Sequence, residues 1–344
     1  IVAVGLAVAA AQYTSFGLGP VAGLQYAATQ SALWFFVGFM LTEQFSMIAF
    51  AAAIEPLRLA NRATGRKLYE WHLYSAGGVT AEASNGVRIH VERSFRDAPN
   101  MDAVVVCAGV DVQIIDHRDL ISVVRRLTKF GASPGAVCTG AYVLAKAGLL
   151  EGYRCTIHWE NRPGLRADFP DLDIGEDLFE IDRDRFTCAG GVAAADMMLS
   201  LIKRDHGEAV ASAVTDQLIH HRIREASERQ RIDMRTRLGV AHPKLLRVIS
   251  LMERSIEQPQ TIEEFARSVA LSPRQLERLF LKHLGSSPNR HYVKIRLDHA
   301  SQLLRQTRLP ILDVAAAAGF SSASYFSQCY LDHFGHSPTK ERKA

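Results

Sequence analysis

Two segments near the C-terminal end of the chain follow the same plan, starting fifty residues apart. The first is TIEEFARSVALSPRQLERLFLKHLG (261–285), and the second is ILDVAAAAGFSSASYFSQCYLDHFG (311–335). Each combines a short helix-forming stretch, a tight turn and a second amphipathic stretch, which is the pattern of a helix-turn-helix. In each copy the final Gly is followed by one further residue and then by Ser-Pro, so that both copies end in Gly-x-Ser-Pro. A buried helical hairpin can produce such a pattern once, but its repetition predicts two helix-turn-helix units.

Helix-start signals support this division. Thr261 and Glu264 have the spacing of a capping box, and Ser272 followed by Pro273 is a typical start of the next helix. Between the two copies, HYVKIRLDHASQLLRQT (291–307) predicts one long helix. Its apolar residues fall on one face, namely Leu297, Ala300 and Leu304.

The region over about residues 243–343 closely resembles the DNA-binding domain of the AraC/XylS family of transcription regulators. The segments RLDHASQLL, ILDVAAAAGFSSASYFSQ and FGHSPTKER carry the resemblance. It implies binding to a double-stranded DNA operator, with RNA polymerase as a further partner. The chain departs from the family pattern at Tyr330, Gln328 and Glu341, where Phe, Arg and Tyr are frequent. The last two departures concern particular DNA contacts and leave the fold unaffected.

The same resemblance assigns DNA-contacting positions on the second helix of each unit. In the first unit they are Arg274, Gln275, Glu277, Arg278 and Lys282. In the second unit they are Ala323, Ser324, Ser327 and Gln328. Arg binds guanine through two hydrogen bonds, Glu accepts from cytosine and Gln suits adenine. We therefore expect the first unit to supply more affinity, and the alternative for each residue is a solvated surface or a phosphate contact.

Charge is distributed unevenly and agrees with a nucleic-acid-binding C-terminal part. From Ala241 to the end there are 15 Lys and Arg against 9 Asp and Glu, whereas the rest of the chain has 25 against 27. A basic module beside a nearly neutral one is what a DNA-binding domain attached to another domain looks like.

The preceding part of the chain alternates apolar runs of strand length with helical patterns. Examples of the runs are LWFFVGFML (33–41), DAVVVCAGV (102–110) and GAVC (135–138). Fully apolar strands that alternate with helices predict an α/β domain, in the form of a flavodoxin-like parallel sheet covered by helices. Ligands of such sheets bind at the carboxyl ends of the strands. Gly109 and Cys138 lie at two of these predicted ends.

Cys138 lies in SPGAVCTGAYVLAKAGLLEG (133–152), between a predicted strand and a helix that begins with small residues. A strand, a sharp turn that carries a nucleophile and a helix form a nucleophile elbow, whose backbone N–H groups point toward the exposed side chain. A thiol beside a helix N-terminus also has its thiolate favoured. The residue is therefore a catalyst, a ligand contact or a packed core thiol.

Residues 33–205 resemble the superfamily of PfpI proteases and class I glutamine amidotransferases. In that superfamily a Cys occupies this elbow, a His assists it, and an acidic residue after the first strand supports the thiol. His158, followed by Trp159, lies near the usual place of the His. Ala49 stands where the acid is expected, and Glu55 is a poor substitute because it lies further along the helix. The resemblance thus implies an inherited elbow with no catalytic residues.

An inherited elbow still offers a binding site. Backbone N–H groups of Thr139 and Gly140, with those near Gly109 and Val110, suit a carboxylate. Aromatic side chains enclose the other end and favour a cationic nitrogen. The sequence therefore predicts a site for a zwitterionic metabolite, lined by Cys138, Thr139, Gly140, Gly109, Val110, His158, Trp159 and Phe45.

Four segments are predicted along the chain. Residues 1–31 are an apolar extension, 32–206 the ligand-sensing domain, 207–241 a connecting helix or linker and 242–344 the DNA-binding domain. The extension has no Asp, Glu, Lys, Arg or His, but Gly, Pro and Gln interrupt it and no basic region precedes it, so no membrane or export role is expected. The five scattered cysteines include no CxxC pair, which argues against disulfides and zinc and favours the cytoplasm.

Together the two domains resemble the GlxA-like regulators, and AIEPLRLANRATGR (53–66) resembles the branch associated with arginine and with betaine or carnitine catabolism. The resemblance implies a homodimer formed through the first domain that activates a catabolic operon in response to an amino-acid or betaine-like metabolite, without cofactor or metal. One alternative is a Cys-dependent hydrolase or amidase fused to a DNA-binding module. Another is a DNA-binding protein whose α/β domain serves only dimerisation.

Overall fold

The computed structural model describes residues 34–342, so the extension predicted at residues 1–31 lies outside the described part of the chain. All strands of this part lie in the first domain. They are β1 (Phe35–Leu41), β2 (Tyr69–Ser75), β3 (Thr80–Glu82), β4 (Arg88–His90), β5 (Arg93–Ser94), β6 (Ala103–Ala108), β7 (Ser133–Cys138), β8 (Arg154–Cys155), β9 (Asp173–Ile174), β10 (Phe179–Asp182) and β11 (Arg185–Cys188).

Seven strands form one sheet in the order β10-β11-β7-β6-β1-β2-β5. Every pairing in it is parallel except that of β10 with β11, which form an antiparallel hairpin. The register places Cys107, Val137 and Cys188 side by side on β6, β7 and β11. The carboxyl ends of four central strands therefore meet at one edge of the domain.

Helices cover both faces of this sheet. They are α1 (Met47–Thr64), α2 (Arg118–Lys129), α3 (Gly140–Lys146), α4 (Arg162–Asp168), α5 (Ala193–His206) and α6 (Glu208–Gln217). Alternate residues of β1 supply two separate cores: Val37 and Phe39 pack in the core with α1 and α5, and Met40 packs in the core with α2 and α3. Burial of both strand faces explains why the strands are apolar throughout. The predicted α/β class is confirmed.

The second domain is entirely helical. Its helices are α7 (Met234–Leu238), α8 (Pro243–Arg254), α9 (Ile262–Ser268), α10 (Pro273–Leu284), α11 (Pro288–Gln306), α12 (Ile311–Ala317), α13 (Ala323–Phe334) and α14 (Pro338–Glu341). Pairs α9–α10 and α12–α13 are the two predicted helix-turn-helix units. The predicted capping box is present, since Glu264 N donates to Thr261 Oγ1 and Thr261 N donates to a Glu264 carboxylate oxygen.

The repeated Gly-x-Ser-Pro segment is a helix stop followed by a helix start. Gly285 and Gly335 end α10 and α13 with φ of 64° and 74°, a left-handed conformation that glycine adopts without strain. Two residues later, Ser287 and Ser337 are the N-caps of α11 and α14, and Pro follows at the first helical position. The motif therefore fixes the direction in which the chain leaves α10 and α13, the second helices of the two units.

The two helix-turn-helix units have separate hydrophobic cores that α11 joins. Near its start α11 contributes Tyr292 to the first core. Further along it contributes Leu297, Ala300, Leu303 and Leu304 to the second core. The predicted apolar face of this helix is confirmed.

The segment 207–241, predicted as a connecting helix or linker, is not one continuous helix. Only α6 and α7 are helical, and α6 packs on α1 and α5 of the first domain. We call residues 219–231 the strap, because they follow the surface of the first domain without regular structure.

Contacts with Asp196 hold the strap against the first domain. It is fully buried on α5, and its carboxylate accepts two hydrogen bonds from the Arg224 guanidinium, at 2.9 and 2.7 Å. His220 Nε2 lies 2.9 Å from the other carboxylate oxygen. A buried carboxylate requires such partners, and holding them near α5 prevents α6 from continuing as a helix.

Candidate functional site

Cys138 is the last residue of β7 and has a φ of 58°, in the left-handed region. Few residues other than glycine adopt this conformation, and the strain it carries is found mainly at functional sites. The chain turns sharply at Cys138, and α3 begins two residues later at Gly140. This geometry is that of the predicted nucleophile elbow.

Neighbouring strand ends close around the turn. Thr139 Oγ1 donates to the Gly109 carbonyl after β6 at 2.7 Å, and the Ser46 hydroxyl, after β1, lies near enough to the Cys138 thiol to lower its pKa. After β11, Gly190 approaches so closely that a Cβ atom placed on it would lie 2.7 Å from the Cβ of Cys138. Neither Ser46 nor Gly190 was predicted from the sequence. The pair Gly190–Gly191, one residue after the buried strand β11, was nevertheless a signal for a close approach of two backbone segments.

The Cys138 thiol is not activated. Burial raises its pKa to about 11, and the nearby charge of Glu160 adds to this. Hydrogen bonds from the Thr139 N–H and the Ser46 hydroxyl favour the thiolate but do not outweigh burial. The thiol is therefore neutral near pH 7 and lacks the thiolate that nucleophilic catalysis requires.

The expected supporting acid is missing. Ala49 is fully buried in α1 and offers no carboxylate. Glu55, the weak substitute, accepts hydrogen bonds from Arg58 on the same helix. Neither residue supports the thiol, as the sequence predicts.

His158 and Trp159 lie beside the turn. The His158 N–H donates to the Cys138 carbonyl at 3.3 Å, and its ring Nδ1 lies 3.8 Å from a Glu160 carboxylate oxygen. Burial lowers the pKa of His158, so its ring is neutral near pH 7. The half-buried Trp159 ring has the Arg231 guanidinium of the strap 4.4 Å from its centroid. This aromatic face therefore already holds a cation.

Two of the predicted ligand-binding residues need correction. The Val110 N–H donates to the Gln44 carbonyl at 3.1 Å, so it is not available to a carboxylate. Phe45 pairs with Gly109 through its backbone, but its ring is fully buried against Phe50. It supports the turn from the core and does not face a ligand, because an apolar ring after a buried strand gains more from the core.

A small apolar groove of about 40 Å³ lies at the opposite end of the sheet, where strands begin, between Phe35 and Met198. Its arginines Arg183, Arg185 and Arg204 each pair with a neighbouring aspartate. This groove offers no unpaired cation to a carboxylate, and it is distant in the fold from the Cys138 turn.

The recognition helix of the first unit is α10, and its predicted DNA-contacting side chains lie on one exposed surface. These residues are Arg274, Gln275, Glu277, Arg278 and Lys282. The opposite face packs Leu276 and Phe280 into the core. Gln275 also has a structural role, because its side-chain oxygen accepts from Ser272 N at 2.8 Å and completes a second capping box.

The recognition helix of the second unit is α13. Ser324 and Gln328 are exposed and Ser327 is half-buried. The Gln328 amide donates to Asp332 Oδ1 at 2.8 Å, one turn further along the helix. This surface carries less charge than that of α10, in line with the predicted division of affinity between the units.

Comparisons with known proteins agree with both halves of the chain. The profile of the DJ-1/PfpI family matches residues 37–204, and that of a helix-turn-helix domain matches residues 265–344. The HTH-type transcriptional regulator GbdR of Pseudomonas aeruginosa is 44% identical over 307 residues, which cover 89% of this chain and 84% of GbdR. The HTH-type transcriptional regulator CdhR of the same species is 42% identical over 304 residues, with 88% and 90% covered.

A crystal structure of an AraC family transcriptional regulator from Pseudomonas putida is also similar. It has a TM-score of 0.50 and 30% identity, over 54% of this chain and 99% of that one. This chain belongs to the AraC family of transcription regulators. It combines the DNA-binding module of that family with a first domain of the DJ-1/PfpI type. Within residues 34–342 this regulator has no helix with the length and apolar content needed to cross a membrane.

Arg278 gives the first test of how the regulator binds DNA. Replacing it with Ala is expected to weaken operator binding by about 1–3 kcal/mol and to relax the preference at one base pair, because a bidentate contact to guanine is lost. Binding is measured on sites selected from random DNA, at fixed salt. The control is Arg118→Ala, which removes an exposed arginine of the first domain. An equal loss on all sequences would mean that Arg278 contacts only phosphate.

The thiol gives a second test. Because burial raises the pKa of Cys138 to about 11, alkylation by iodoacetamide is expected to accelerate about tenfold per pH unit from pH 7 upward, without a plateau below pH 10. Mass spectrometry of the Cys138 peptide follows the reaction, and Cys138→Ser identifies that peptide. A plateau near neutral pH would reveal an activated thiol and favour the hydrolase alternative.

Proposed function

We propose that this regulator binds a small zwitterionic metabolite at the Cys138 turn, without catalysis, and activates transcription of a catabolic operon when the metabolite is bound. The observation that carries the proposal is a complete elbow around a neutral thiol. The left-handed Cys138 and its surrounding strand ends keep the geometry of a binding turn, whereas the acid is absent and the pKa of the thiol is raised.

The two ends of the site differ in chemistry. At the turn, the first backbone N–H groups of α3, beginning with Gly140, have no partner within the helix and suit a carboxylate, whereas the Thr139 N–H already contacts the Cys138 thiol. Beside it, the Trp159 face holds the Arg231 guanidinium, and Glu160 adds a negative charge. A ligand with a carboxylate and a cationic nitrogen matches both ends.

The test is thermal unfolding of the full chain with glycine betaine, carnitine or arginine. Each is compared with a compound that lacks one charge: choline has no carboxylate, and 3,3-dimethylbutyrate replaces the cationic nitrogen of glycine betaine with carbon. We expect stabilisation only by compounds that carry both charges, of about 2.7 kcal/mol at one hundred times the dissociation constant. Equal stabilisation by 3,3-dimethylbutyrate would exclude the cation site, and no stabilisation by any zwitterion would overturn the proposal.

The enzyme alternative and the dimerisation-only alternative predict other results. A hydrolase consumes an amide or ester substrate and loses this activity in Cys138→Ser. A domain that serves only dimerisation gains no stability from any of the compounds. We also propose, from the family resemblance, that the first domain forms the homodimer and that DNA-bound regulator contacts RNA polymerase.

A further inference from the structure

One loop contacts the Cys138 turn, the strap and the second domain. We call residues 157–161, between β8 and α4, the junction loop. Its His158 N–H donates to the Cys138 carbonyl, and its last residue, Asn161, is the N-cap of α4. A change in backbone position at the turn therefore acts directly on this loop.

The strap ends on the junction loop. The Gln230 amide nitrogen lies 3.0 Å from the Ile157 carbonyl and 2.9 Å from Thr156 Oγ1. The exposed Arg231 stacks on Trp159. Three residues after Arg231 the chain enters α7 at Met234, so movement of this end is passed along the backbone to the second domain.

The second domain also contacts the junction loop directly. Gln306, the last residue of α11, donates through Nε2 to the Glu160 carbonyl at 2.7 Å. On α4, a Cβ atom placed on Gly164 would lie 2.9 Å from the Cβ of Gln306, so glycine is what permits this close packing. The helix that joins the two helix-turn-helix units is thereby held beside the proposed ligand site.

We propose that the junction loop couples the ligand site to the DNA-binding domain, with Arg231 occupying the place of the ligand cation. A ligand whose cationic nitrogen takes the Trp159 face displaces Arg231, and the shifted loop then releases Gln306. Ligand binding thus frees the second domain from the first. The ligand step of this coupling rests on the proposed function, whereas the contacts of Arg231 and Gln306 exist without ligand.

The first test needs no ligand and uses the full chain with Gln306→Cys, at a position whose Cβ packs against Gly164 of α4. This packing is expected to protect the introduced thiol from alkylation by iodoacetamide, and Cys329→Ser removes a competing thiol. Adding Arg231→Ala is expected to accelerate the alkylation roughly fivefold or more, since the loop loses one of its anchors. Arg229→Ala, an exposed strap arginine two residues away, is the matched control and should leave the rate unchanged.

The second test uses Gln306→Ala, which removes the hydrogen bond to the Glu160 carbonyl. If the wild-type chain binds glycine betaine, calorimetry should show roughly fivefold or more tighter binding by this variant, because the release of Gln306 no longer opposes ligand binding and coupling is reciprocal. Arg229→Ala should bind as the wild-type chain does.

The outcomes separate the two proposals. An unchanged alkylation rate with Arg231→Ala, or equal affinity of Gln306→Ala and the wild-type chain for glycine betaine, would each overturn the coupling. Absence of glycine betaine binding in the wild-type chain, with the rate effect of Arg231→Ala intact, would overturn only the ligand class.

Discussion

Replacing Arg224 with alanine is expected to lower the free energy of unfolding of the first domain by about 3 kcal/mol. The substitution leaves Asp196 fully buried without its main cation, and removal of one partner from a buried ion pair costs about 3–5 kcal/mol. The lower end of this range applies because His220 and the Arg224 backbone N–H still contact the carboxylate.

Urea unfolding followed by tryptophan fluorescence measures this loss selectively, because all three tryptophans of the chain, Trp34, Trp71 and Trp159, lie in the first domain. The matched control is Arg222→Ala, which breaks an exposed pair with Glu228 and should cost less than about 1 kcal/mol. Adding Asp196→Asn to Arg224→Ala should recover part of the stability, since the unpaired charge is removed. Equal losses in Arg222→Ala and Arg224→Ala would contradict a role of Asp196 as the anchor of the strap.

The second large effect is expected at Cys138. Substitution by Trp should abolish the response to a zwitterionic metabolite, because Gly190 packs closely against Cys138 and the indole is therefore forced into the proposed ligand site. Substitution by Ser should keep most of the response, since on our proposal the backbone N–H groups hold the carboxylate and the thiol has no chemical role. Ligand-dependent transcription from a reporter measures the response.

Operator binding without ligand is the folding control for both Cys138 variants, because the second domain has its own cores. It should stay at the wild-type value in each. A response that is lost in Cys138→Ser and retained in Cys138→Trp would exclude the binding turn and point to covalent chemistry at the thiol.

Much of the fold could be predicted from the sequence because its signals are local. The start of α9 follows from Thr261 and Glu264, whose side chains contact backbone within one turn. The end of α1 follows from Gly65, whose left-handed φ of 64° stops the helix. The parallel sheet follows from strands that are apolar at every position. In the candidate site, the turn at Cys138 could be predicted for the same reason, whereas the expectation of an acid at position 49 came from the family resemblance.

Features that depend on distant residues could not be predicted. The strap was expected to be helical because its own residues favour a helix, but its course is set by Asp196, 28 residues before Arg224. Phe45 was expected to enclose the cationic end of the ligand because its side chain is aromatic, yet its ring is fully buried in the core. Arg231 stacks on Trp159 although the two residues are far apart in the sequence, so no local pattern predicts this contact.

The helix α11, which joins the two helix-turn-helix units, also sets the angle by which one unit is rotated relative to the other. With 19 residues, α11 is about 28 Å long, and each residue added or removed would turn the second unit by about 100° and shift it by about 1.5 Å. Recognition helices reach successive major grooves only when they face the same side of the duplex. The length of α11 is therefore as tightly constrained as the identity of any base-contacting residue. One inserted residue would prevent the second unit from contacting its major groove while leaving both units folded.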